Sequence, residues 1–71
     1  MDIHAFLARC DATVASTGIS RSRLSTIIFG SGVTIDRLHD GAGVTVRVLD
    51  RAAHRLDAWE QERSEKGRLA A

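Results

Sequence analysis

The chain has 71 residues, 44% of them hydrophobic and 27% charged, with six glycines and no proline, a composition that suits one small folded domain and excludes a disordered tail or a collagen. Ten basic side chains against nine acidic ones leave a net charge of +1, so no overall positive field marks a nucleic-acid binder and any such role rests on local placement. No apolar run reaches bilayer length, and Asp2, His4 and Arg9 interrupt the start, so the sequence reads as soluble and cytoplasmic with no membrane partner.

Five of the six glycines fall between Gly18 and Gly43 and divide the chain into four helical segments. Ile3, Phe6, Leu7, Cys10 and Val14 recur at intervals of three and four, which predicts a helix from Ile3 to Ser16 with Asp2 as its cap and Gly18 as its stop. Cys10, the only cysteine, lies on this stripe; it has no partner for a disulfide and reads as a small core residue. Ser20 caps a second helix, Arg21 to Phe29, with Leu24, Ile27 and Ile28 on one face and Gly30 behind it. A third, short helix in the Ser31–Gly41 segment turns Ile35 and Leu38 inward. Thr45 caps a fourth, second in length to the first, whose Leu49, Ala52, Ala53, Leu56 and Trp59 share a face. Residues 1–63 form the expected domain, and the polar, glycine-interrupted stretch 64–71 reads as a frayed tail. The fold class is all-α, with four or five helices.

Two short helices joined by a glycine-containing turn, flanked by a longer helix on each side, have the layout of a helix-turn-helix. From Ser20 to Gly41, with Leu24, Ile28, Ile35 and Leu38 inward, the chain resembles the phage-repressor family of lambda-repressor-like domains, Cro-like or XRE-type. It departs from that pattern at Ser25, where the family has a small alanine, at Phe29, where it has a glycine, and at Arg21, where a glutamine is common. A rival register, in which Val14 to Ser25 resembles the turn and recognition helix of the lactose-repressor type, would make Arg21 to Phe29 the reading helix. It leaves Ile35, Leu38 and Gly41 unexplained and breaks the continuous first stripe.

The resemblance implies a sequence-specific transcriptional regulator that binds double-stranded DNA with its third helix in the major groove. Ser31, Val33, Thr34 and Arg37 would then reach base edges, Arg37 by forking onto a guanine and Thr34 or Val33 by touching a thymine methyl. Partial core burial is the competing role of Val33. Asp36 and Asp40 oppose phosphate on that face unless Asp36 pairs with Arg37 or accepts from a cytosine. Phosphate contacts would come from Ser20, Arg21, Ser22 and Arg23, and flanking ones from Thr45 and Arg47 at the start of the fourth helix. So small a domain needs a homodimer or a larger regulatory partner for useful affinity, and Val48 and Trp59 are the candidate dimer contacts. A helical protein-interaction module that binds RNA polymerase or another regulator is the alternative.

His4, His39 and His54 have no ligand spacing on one helix, and no paired carboxylates, nucleophile set or Walker lysine stands out. No enzyme activity, metal, cofactor or small-molecule substrate is expected.

Overall fold

The computed structural model describes residues 2–70, with side chains described to Lys66. Four α-helices and no strand occur among the described residues: α1 (Ile3–Thr17), α2 (Arg21–Phe29), α3 (Thr34–His39) and α4 (Val46–Ala70). Among the described residues no helix is long and apolar enough to cross a membrane.

Helix boundaries follow from local chemistry. The Asp2 carboxylate accepts from the His4 amide and the Ser20 hydroxyl from the Arg23 amide, each satisfying an orphan donor of a first turn. Thr45 does the same for Val48. Gly18 and Gly30 end α1 and α2 in the left-handed conformation, φ +76° and +79°, and their amides donate back to Val14 and Thr26. At the end of α3, Gly41 donates to Leu38 and Ala42 to Arg37, the two bonds of a Schellman motif.

Two differences from the sequence reading concern α4. It is the longest helix, 25 residues, and it continues past Ser64, because Glu62, Arg63, Glu65 and Lys66 are good helix formers and no proline intervenes. Of the tail expected to fray, Ser64–Ala70 is therefore helical, and Ala71 lies outside the described residues.

The core is a single cluster fed by every helix: Phe6, Leu7 and Cys10 from α1, Leu24 and Ile28 from α2, Ile35 and Leu38 from α3, and Leu49, Ala52, Ala53 and Leu56 from α4. The α2 helix touches each of the other three, and the small Ala52 and Ala53 let α4 approach it closely. Each fully buried leucine or isoleucine contributes about 1.5–3 kcal/mol by leaving water. Phe29 packs edge-on against Phe6 at 6.0 Å between ring centres, which explains a bulky residue just before the turn.

The α1–α4 contact carries a polar edge. Arg9 reaches both Asp57 and Glu60, and the buried Thr13 hydroxyl lies 2.9 Å from Glu60 and 3.0 Å from the Arg9 carbonyl. The Glu60 hydrogen bond, opposed by partial burial, raises the Arg9 guanidinium above its ordinary range, so this cation stays charged. Cys10 sits fully buried beneath it, and burial pushes its thiol up to about 11, which makes it an inert core residue at neutral pH.

Candidate nucleic-acid interface

The α2–α3 connection is short, and one buried side chain fixes it. Ser25, fully buried, donates its hydroxyl proton to the Ser31 carbonyl and accepts from the Ile35 amide at 3.1 Å. One hydroxyl thus satisfies a carbonyl of the turn and an amide in the first turn of α3, which has no side-chain cap of its own. The sequence comparison with the phage-repressor pattern treats Ser25 as a departure from alanine; its role as a clamp is legible only with its partners in view.

Gly32 lies against the outer face of α2. A Cβ at this position would stand 2.9 Å from the Ser22 hydroxyl and 3.3 Å from that of Thr26, so the turn comes this close because the residue is glycine. The start of α3 and the first turn of α2 therefore form one continuous surface.

The four candidate base readers differ in availability. Val33 is 49% exposed rather than partly buried in the core, because it precedes α3 and only Ile35 and Leu38 of that helix turn inward. Arg37 is exposed and enters no ion pair among the described residues. Ser31 and Thr34 are half-buried, and the Ser31 carbonyl is taken by Ser25.

Asp36 does not pair with Arg37. Its carboxylate accepts from Arg21 at 3.0 Å, and Arg21 also reaches Asp11 at 3.5 Å, while His39 lies 3.3 Å from the same Asp11 oxygen. The Asp36 hydrogen bond raises the Arg21 pKa, and the two carboxylates neutralise this cation locally. One of the two acidic residues that opposed a phosphate-binding face is thereby compensated from α2.

Among the candidate phosphate contacts, Ser20 and Thr45 use their hydroxyls as helix caps and Arg21 is engaged by carboxylates. Ser22, Arg23 and Arg47 are exposed, and their side chains make no hydrogen bond or ion pair among the described residues. Val48 is 41% exposed, whereas Trp59 is half-buried against the core with the Arg63 guanidinium 5.0 Å from its ring centre. Comparison with protein-family models, curated proteins and solved structures finds no match.

No group of three or more His, Cys, Asp or Glu side chains among the described residues is arranged to hold a metal ion. What the region presents is a short helix, a clamped turn and several arginines that enter no ion pair among the described residues. Two features escape the sequence reading, the Ser25 clamp and the Arg21–Asp36–Asp11–His39 cluster. A serine among core positions signals the first, because a buried hydroxyl needs a partner. The second joins α1, α2 and α3 and has no signature in local spacing.

Proposed function

We propose that the chain is a small DNA-binding regulator of the helix-turn-helix class, phage-repressor-like, which recognises a short duplex site with α3 in the major groove. The observation that carries this reading is the α2–turn–α3 unit, in which Ser25 pins a six-residue helix so that the exposed Val33 just before it and Arg37 within it are free to meet base edges. Ser22, Arg23 and Arg47 supply phosphate contacts, and the near-zero net charge makes those local cations the main electrostatic attraction. A homodimer through the exposed Val48 would supply the second half-site.

Site-directed variants separate the roles. Arg37→Ala should cost about 1–3 kcal/mol against the preferred site and relax the preference at one base position, whereas Arg47→Ala should weaken all duplexes alike. Equal binding by both variants and the unaltered chain would reject this assignment. The Arg21–Asp36–Asp11 cluster favours a second reading, a protein-interaction module with a salt-tolerant partner, since it spends an arginine inside the chain instead of on phosphate.

A further inference from the structure

A groove of about 460 Å³ opens between the start of α2 and the outer half of α4, lined by Ser20, Arg23 and Ile27 on one side, Trp59 and Arg63 on the other, and the α1–α2 turn. Every charged group on it is a cation. No carboxylate lines it, and neither Arg23 nor Arg63 enters an ion pair among the described residues. Arg9 and Arg21, in contrast, are each held by two carboxylates, so the two groove arginines are among those that keep their charge free of an internal partner among the described residues.

The hydroxyls of the lining are already committed. Thr17 donates to the Thr13 carbonyl at 2.7 Å and accepts from the Ile19 amide, and Ser20 caps α2. What remains is two guanidinium groups, one stacked on an indole that restricts its rotamers and so lowers the entropy lost when it binds. Two planar forks of donors with no acceptor between them suit an anion with several oxygens. The groove and the candidate base-reading surface meet the first turn of α2 at successive residues: Ser22 faces Gly32 at the entry to α3 and Arg23 lines the groove.

We infer that this groove binds a phosphodiester of the duplex, so that the DNA backbone runs from the start of α3 across the first turn of α2 to Trp59 and Arg63. The inference rests on the DNA-binding reading and extends the contact to a part of α4 beyond the helix-turn-helix. A partner peptide's carboxylate offers similar oxygens, but the open groove lacks the deep apolar pocket on which an anchored peptide depends, and its place beside the first turn of α2, next to the proposed base-reading unit, favours the backbone of DNA.

Trp59 is the only tryptophan, so its emission reports on the groove. Duplex DNA added to the full chain should change that emission along the same isotherm as the anisotropy of the labelled duplex. Arg63→Ala should weaken every sequence by about tenfold and reduce the salt slope by about one, Arg63→Lys should keep the slope, and Arg51→Ala, exposed on α4 and outside the groove's lining, should match the unaltered chain. Far-ultraviolet circular dichroism of each variant checks that it folds. If Arg63→Ala binds DNA with unchanged affinity and slope, or the emission stays constant to saturation, the groove assignment falls while DNA binding stands. If the unaltered chain binds no duplex, both fall; binding of polyglutamate instead, lost in Arg63→Ala, would give the groove to an acidic protein partner.

Discussion

Ser25 illustrates how a single atom sets the geometry of the candidate site. Its oxygen serves a carbonyl and an amide that are ten residues or fewer from it in sequence, and both would be left without this partner if it were removed. Ser25→Ala should therefore cost about 1–3 kcal/mol, although alanine is the residue of the phage-repressor pattern and the better helix former. For a domain of this size that is a fall of roughly 4–8 °C in Tm per kcal/mol, measurable in a thermal melt; an unchanged melt would mean that the turn is held by something else. Val33 is the complementary case. Its apolar character suggests partial burial, but it lies outside the inward-facing positions of α3, and so a valine stands exposed where the proposed function wants an apolar contact.

At the scale of the element, α4 makes the largest contribution to one face of the core, and Leu56 is its most buried large side chain. Leu56→Ala should cost about 2–5 kcal/mol by removing buried methyl groups and leaving a cavity; a denaturation midpoint within error of the unaltered chain would show that α4 docks differently. The four helices were legible in the sequence because each boundary has a local cause: Asp2, Ser20 and Thr45 as caps, Gly18, Gly30 and Gly41 as stops, and apolar residues at helical intervals. The end of α4 was not, since Gly67 and a polar composition look like a stop, while nothing in the stretch breaks the backbone ladder. The candidate site was legible only residue by residue. Ion pairs such as Arg21–Asp36 and Arg9–Glu60 join residues 15 and 51 positions apart, and the choice of Arg21 over Arg37 as the partner of Asp36 depends on how α2 lies across α3.

On the scale of the whole molecule, an almost neutral chain sorts its cations into two groups. Arg9 and Arg21 are spent internally, holding α4 to α1 and α2 to α3, in exposed pairs that solvent screens. Of the cations that enter no ion pair among the described residues, Arg23, Arg37 and Arg47 have roles in the proposed function and Arg63 in the groove inferred beside it. Three of these, Arg23, Arg47 and Arg63, are assigned to phosphates, and each releases about 0.9 counter-ion when it engages duplex DNA. The most direct test is fluorescence anisotropy of a labelled random-sequence duplex pool and of its tightest-binding fraction, at about 50 and about 200 mM salt. Binding that weakens with a log–log salt slope near −3 per chain, and that is tighter for the selected fraction, is the predicted result. No binding at the lower salt, or binding that ignores salt, would contradict the DNA-binding function and leave a protein partner as the reading to pursue.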